Sequence, residues 1–291
     1  MVSKNKVINI LEGLKILPKV HPQHYLIHKY WGRKPHNLIS DYLVALTKKN
    51  EVVLDPFMGS GGVVIESNKL ERLSIGVDIN PMSVMIVNET LKDVNLNKLL
   101  STFHKILESI PKDIKDLQQI EYNGEICVIE NAVWVGENLE RVKINYKGKS
   151  IRRNANSKDR QKNIKAKKLL NKYANDITFP TDKIMRYVRR NQKEYINELF
   201  SYRNLLIAGW FLKQFETISD KKISESLKFI FTSALPNFSK MIPGDLEKVI
   251  GKSGWQISKF WAPEIHAEKN VIISLEQRLN KFIKGKKEID K

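Results

Sequence analysis

The sequence predicts an α/β chain: a partial parallel sheet covered by helices, then a basic β-hairpin insert and a C-terminal helical region. Three observations predict it. Two short apolar runs, EVVL at 51–54 and SIGV at 74–77, are separated by a helix-length stretch, which is the spacing of a parallel βαβ pair. Residues 125–153 alternate apolar and polar positions, as antiparallel strands with one solvated face do. From Phe179 onward the apolar residues recur at helical spacing.

Element by element, NKVINILEGL at 5–14 reads as a helix followed by a connector to Pro22. HYLIHKYWGRKPH at 24–36 is aromatic and basic. Pro35 suits the first turn of a helix that NLISDYLVALTKK continues. EVVLDPF reads as a buried strand, GGVVIESNKL as a helix opening on glycines, and ERLSIGVDI as a turn and a second buried strand. Asn80 caps the next helix and Pro81 occupies its first position. Residues 95–118 read as helical. The alternating stretch that follows holds two or three strands turning at Gly136 and Gly148. RRNANSKDRQKNIKAKK is a basic arm, either a loop or a helix formed on binding. DKIMRYVRRNQKEYINELF, YRNLLIAGWFLKQFETI and DKKISESLKFIFTSAL read as helices, and the end as an aromatic extended piece and a last helix. Three regions result: 1–121, 122–178 and 179–291.

Bulk properties narrow the function classes. The 291 residues carry a net charge of +18, which favours a polyanionic partner such as nucleic acid. The excess is concentrated: between Arg141 and Lys172 there are 13 lysines and arginines against one acid, Asp159. Arg152, Arg153, Lys158, Arg160, Lys162 and Lys165 are the candidate nucleic-acid contacts in this arm. A single cysteine, Cys127, excludes disulfides within the chain and a cysteine-rich zinc site. No apolar run is long enough for a membrane span, and the N-terminus lacks the apolar core of a signal peptide. Cytoplasm is the expected compartment, with no membrane partner.

The stretch most loaded with chemistry is DPFMGSGG at 55–62, where three glycines fall in four positions. It is not a P-loop, because no Lys-Ser or Lys-Thr follows Gly61 or Gly62. It is not the dinucleotide fingerprint, because the third glycine of G-x-G-x-x-G is missing. The order is strand, glycine loop, helix, strand, acid, with Asp78 lying 23 positions after Asp55. In a doubly wound sheet that acid lands beside the glycine loop at the carboxyl ends of the strands. A carboxylate there can accept both hydroxyls of a ribose. Glycines let the backbone approach a ligand closely, and amides at the helix start attract an anionic group.

DPFMGSGG followed by GVDINPMS resembles the glycine-loop and acidic motifs of amino-group DNA methyltransferases, which make N6-methyladenine or N4-methylcytosine. HKYWGRKPHNLI resembles that family's segment closing over the methionine end of S-adenosylmethionine. The similarity is greatest to adenine-specific methylases that often carry a zinc ribbon, and residues 28–82 carry it most specifically. It implies a Rossmann-like methyltransferase sheet and S-adenosylmethionine as cofactor. Asp55, Gly59, Ser60 and Gly61 would line its methionine part, with Pro56 and Phe57 in the same loop. Asp78 would hold the ribose, and Ile79, Asn80 and Pro81 would flank the adenine. Tyr30, Trp31, Lys34 and Pro35 would come from the closing segment.

Two departures from the family stand out. The paired C-x-x-C knuckles of the ribbon are missing, so no structural zinc is expected. The catalytic motif of the class, [DNS]-P-P-[YFW], is also missing, and the chain contains no Pro-Pro pair. No catalytic residue is therefore assigned to this chain. The reading is one subunit of a split DNA methyltransferase, with the catalytic motif and the remaining strands expected on a second protein chain. A nucleic-acid-binding accessory protein with a methyltransferase-like fold, or a truncated fragment, remains an alternative, and RNA remains open as the target.

Overall fold

The computed structural model describes residues 17–184, 193–251 and 261–289. The helix read at 5–14, residues 185–192 of the helix read from Asp182, and most of GWQISKFW lie outside them. The chain divides into two compact units, residues 1–94 with 279–291, and residues 95–278. No helix of the described residues is long and apolar enough to cross a membrane.

In the first unit a 3-10 turn, Gln23–Leu26, precedes α1 (His36–Leu46), β1 (Val52–Asp55), α2 (Gly62–Lys69), β2 (Leu73–Gly76) and α3 (Pro81–Leu91). The two strands pair in parallel from Val52 opposite Leu73 to Asp55 opposite Gly76. They form a two-stranded sheet. The Asn80 side chain accepts from the Met82 amide at 3.0 Å, and Pro81 opens the helix, as expected. Met58, Val64 and Val87 form a small core, and α2 packs on both strands.

The strands were expected to be buried, and the structure corrects this. Val52, Leu54, Leu73, Ile75 and Val77 are each 53–61 % exposed. The alternation is the cause. Gly76 faces Met58 and Val64, so close that a Cβ there would meet the Met58 sulfur at 2.4 Å. Its neighbours Ile75 and Val77 must then point to the opposite side. Among the described residues nothing of this unit covers that side.

Helix α9 (Val271–Ile289) contributes its residues from Leu279 onward to the first unit. The buried Lys286 donates to the carbonyls of Thr90 and Lys92, which end α3. Cations at a helix C-terminus satisfy carbonyls left without amides. Glu288 Oε2 accepts from the His24 amide at 2.9 Å and lies 2.7 Å from its Nδ1.

The second unit holds α4 (Leu96–Glu108), α5 (Lys112–Lys115), β3 (Gln119–Tyr122), β4 (Glu125–Val135), β5 (Asn138–Tyr146), β6 (Lys149–Asn154) and α6 (Ser157–Lys172). After the 3-10 turn Ile196–Leu199 come α7 (Tyr202–Glu216), α8 (Lys221–Phe238), the short β7 (Gly244–Asp245) and β8 (Ile250–Gly251), and β9 (Ile265–Lys269). The order β3-β4-β5-β6 is antiparallel, and β9 shares one long edge of β4 with β3. The alternating stretch forms three strands, β4, β5 and β6, turning at Gly136 and Gly148 as expected, and β3 and β9 from outside it bring the sheet to five. Its inner face is Ile120, Cys127, Ile129, Ala132, Trp134, Leu139, Val142 and Ile144.

Of the two readings of the basic arm, loop or helix, Ser157–Lys172 takes the helix, α6 (sixteen residues), while Arg152 and Arg153 lie on the strand β6. Asn156 Oδ1 accepts from the Asp159 amide at 3.0 Å, and Asp159 Oδ2 accepts from the Asn156 amide at 2.9 Å. This reciprocal cap satisfies two otherwise free amides. The described part of the helix read at 182–200 is instead a bridge, Lys183 to Tyr195, followed by the 3-10 turn.

The first unit also contains a buried carboxylate, Glu66 on α2. Burial by itself would raise its carboxyl. The adjacent His24 ring, hydrogen bonds from Ser40 Oγ (2.7 Å) and Tyr25 Oη (2.9 Å), and the Lys69 ammonium together hold it down to about 2. A depressed carboxylate contributes stability that is complete above its unfolded value, near 4.5, and is lost as the pH falls towards 2. We expect Glu66→Gln to lower stability at neutral pH by about 3 kcal/mol and to flatten the acid dependence across that window. Urea unfolding at a series of pH values measures both. An unchanged acid limb in the variant would show that another group controls it.

Candidate cofactor site

Parallel pairing brings the carboxyl ends of β1 and β2 level, so the loops leaving them meet. Gly59 and Gly61 adopt left-handed backbone conformations, φ +52° and +75°. Gly61 caps α2, and its amide donates to the Met58 carbonyl at 2.7 Å. A Cβ on Gly61 would lie 2.1 Å from Val87 Cγ2. This residue type is thus required twice, by conformation and by the close approach of α3.

Asp78 closes the cluster. Its Oδ2 accepts from the Gly59 amide at 2.7 Å, and its Oδ1 from the Asn80 amide at 2.8 Å. These bonds, Asn80 first and then Gly59, hold the carboxyl below its ordinary range. Each oxygen keeps lone-pair capacity for a further donor. Asp55 Oδ1 accepts from the Phe57 amide at 3.2 Å and shapes the turn into the loop.

Tyr30 reaches this cluster from the segment before α1. Its ring lies 3.4 Å from where a Gly59 Cβ would stand, and its hydroxyl accepts from Ser83 Oγ at 3.2 Å. Ser60 is buried, whereas Pro56 and Pro81 are exposed. Phe57 (89 % exposed) and Ile79 (fully exposed) leave apolar side chains in solvent beside the ionised acid. Trp31 is exposed with the Lys29 ammonium 5.2 Å from its ring. Pro35 sits at the N-cap of α1, and Lys34 is exposed beside it. The structure thus gathers Tyr30, Asp55, Gly59, Gly61, Asp78 and Asn80.

Sequence reading missed Ser83 and Val87. The signal was available: both lie on the inward face of an α3 whose first turn the sequence already placed. It also missed the His24, Tyr25, Ser40 and Glu66 network, whose signal is an acid at a core-facing position of an apolar helix.

The site fits S-adenosylmethionine. Glycines stand where Cβ atoms would obstruct the backbone's approach, and a carboxylate with spare acceptor capacity is flanked by exposed apolar side chains. Among the described residues no group of three or more His, Cys, Asp or Glu could hold a metal ion.

In the arm, Arg153 pairs with Asp159 at 2.6 Å and Lys162 donates to the Asp116 carbonyl at 2.6 Å. Burial lowers the Lys162 ammonium below its ordinary range. Arg152 Nε donates to the Lys248 carbonyl and Arg160 Nε to that of Leu139. Lys158 lies 3.7 Å from Glu121. Lys158, Arg160 and Lys165 are the exposed members on α6.

Comparison with known proteins bears on this geometry. The model of a DNA methylase family covering N6 and N4 methyltransferases matches residues 5–89. The resemblance to amino-group DNA methyltransferases holds over this segment. The Type II methyltransferase M.MjaII of Methanocaldococcus jannaschii is 28 % identical over 100 residues, 34 % of this chain and 19 % of its own. M1.MboII of Moraxella bovis is 41 % identical over 64 residues, 22 % of this chain and 25 % of its own. M.HpaI of Haemophilus parainfluenzae is 32 % identical over 84 residues, 29 % and 26 % respectively. The aligned part spans about a fifth to a quarter of these relatives. No solved structure matches the chain.

Gly61→Ala adds a Cβ at 2.1 Å from Val87 and strains a left-handed residue. We expect a loss of about 2–4 kcal/mol. Gly61→Ala with Val87→Ala should recover the steric part and leave the backbone part. Thermal melting of the two variants separates the terms, and no recovery in the double variant would refute the Val87 contact.

Proposed function

We propose that this chain is the cofactor-binding subunit of a split DNA methyltransferase that methylates the exocyclic amino group of adenine or cytosine. The observation that carries this reading is the two-stranded parallel sheet. At its carboxyl ends the glycine loop and Asp78 come together, while Val52, Leu54, Leu73, Ile75 and Val77 leave one face bare. An exposed apolar sheet face of this kind marks an interaction surface, and an unpaired strand edge invites a further strand. The absent [DNS]-P-P-[YFW] motif says what the partner must bring.

Bound at this site, S-adenosylmethionine supplies an electrophilic methyl group. Asp78 accepts the ribose hydroxyls, and its ionisation is secured by the Gly59 and Asn80 amides. Ile79 and Phe57 offer apolar contact to the adenine and methionine parts. Tyr30, held by Ser83, closes over the glycine loop. The partner's motif would hold the target amino group, extruded from the helix, in line with the methyl carbon. The basic residues of β6 and α6 would neutralise phosphates and make binding strongly salt-dependent.

The test is methyl transfer from labelled S-adenosylmethionine to DNA, using this chain, the product of a neighbouring gene carrying the motif, and their mixture. Transfer in the mixture alone, abolished by Asp78→Ala, is the expected result. Transfer by this chain alone would refute the split. Separately, Leu54→Glu with Ile75→Lys should abolish association with the partner while leaving cofactor binding within about twofold. Loss of cofactor binding in that variant would mean that the bare face belongs to the cofactor site.

A further inference from the structure

The second unit contains a cavity of about 670 Å³ between α6, the 3-10 turn Ile196–Leu199 and the start of α7. That is within the ~300–1,000 Å³ typical of small-ligand sites. Its walls combine two aromatic rings, Phe200 and Tyr202, two carboxamides, Asn163 and Asn197, and the lysines Lys167 and Lys193.

Several details make it more than a crevice. Lys167 Nζ lies 5.2 Å from the Tyr202 ring centroid, placing a cation beside an aromatic platform. The Glu137 carboxylate at the rim is shared by Lys240 at 2.9 Å and Lys193 at 3.9 Å, so it cannot neutralise both. With Glu198 also in the lining, the lysines Lys167, Lys193 and Lys240 exceed the carboxylates by one positive charge.

Helix α6 is the partition between this cavity and another. Asn163 and Lys167 face the first, while Lys158, Lys162 and Lys165 line a second cavity of about 480 Å³. A polyanionic strand crossing α6 would meet the exposed Lys158 and Lys165 on one side and an aromatic-walled slot on the other. Aromatic faces stack on bases regardless of sequence.

We propose that the cavity at Phe200 and Tyr202 holds an unpaired nucleotide of the DNA strand, a base site additional to the one where methyl transfer occurs. The proposal rests on the reading that this chain binds DNA. The base stacks on the aromatic rings, and Lys167 and Lys193 take the adjoining phosphates.

Fluorescence anisotropy of the full chain tests it, using a fully paired DNA duplex, the same duplex with one bulged adenine or thymine, and an RNA copy of the bulged duplex. The bulged DNA should bind about tenfold tighter than the paired one. Tyr202→Leu should erase that preference and Tyr202→Phe preserve it. Lys167→Gln should reduce the salt slope by about 0.7. Thermal melting establishes that each variant folds. Equal binding of paired and bulged DNA, or a preference that survives Tyr202→Leu, overturns the nucleotide site and leaves DNA binding standing. Tighter binding of the RNA overturns the assignment to DNA. No binding to any duplex overturns both the site and the reading beneath it.

Discussion

The hydrogen bond from the Gly59 amide to Asp78 is the interaction on which the cofactor site depends. It exists because β1 and β2 pair in parallel and end level, Asp55 opposite Gly76. A parallel pair needs a crossover, here α2, and that helix must start at the top of β1 and return beneath the sheet. The loop between strand and helix is therefore short and crowded. Gly61 is confined between the α2 start and Val87 of α3, and Tyr30 packs over Gly59 from outside. The two amide bonds to Asp78, from Asn80 and Gly59, thus tie together the glycine backbone, the ionisation of Asp78 and the entry into α3.

The same sheet has one covered and one uncovered face within the unit. Helix α2 covers the face that includes Gly76, and the other face carries valines, leucines and isoleucines in solvent. Apolar surface left in water forgoes about 25 cal/mol per Å² of possible stabilisation. A face of β-branched and leucine side chains is what a central sheet presents when both of its sides are destined for cover. Within the unit, stability is drawn from elsewhere: the Glu66 network, the Glu288 contact with His24, and Lys286 on the carbonyls ending α3.

In the second unit, charge is sorted by geometry. Asp159, the one acid in a strongly basic stretch, caps α6 and neutralises Arg153 at the same time. That cap and ion pair offset part of the repulsion within a helix carrying so many lysines. Repulsion along its length is eased because Lys162 is turned inward onto the Asp116 carbonyl. What remains outward is a smaller, better-defined set than composition suggests.

Much of this was legible in the chain itself. The glycine loop, Asp78, the Asn80 cap and the parallel pair rest on local chemistry: left-handed φ, a capping side chain, and apolar runs at a fixed spacing. The antiparallel sheet was legible from alternation, though not its fifth strand, β9, which arrives from more than a hundred residues away. Burial was not legible. An apolar run announces a strand that could be covered, but only the packed structure shows whether anything covers it, because cover is a property of distant segments. For the same reason the sequence could count the basic residues of the arm, and only the tertiary structure decided which of them face inward. Local conformation is set by neighbours in the chain, whereas exposure, ion pairing and cavities are set by neighbours in space.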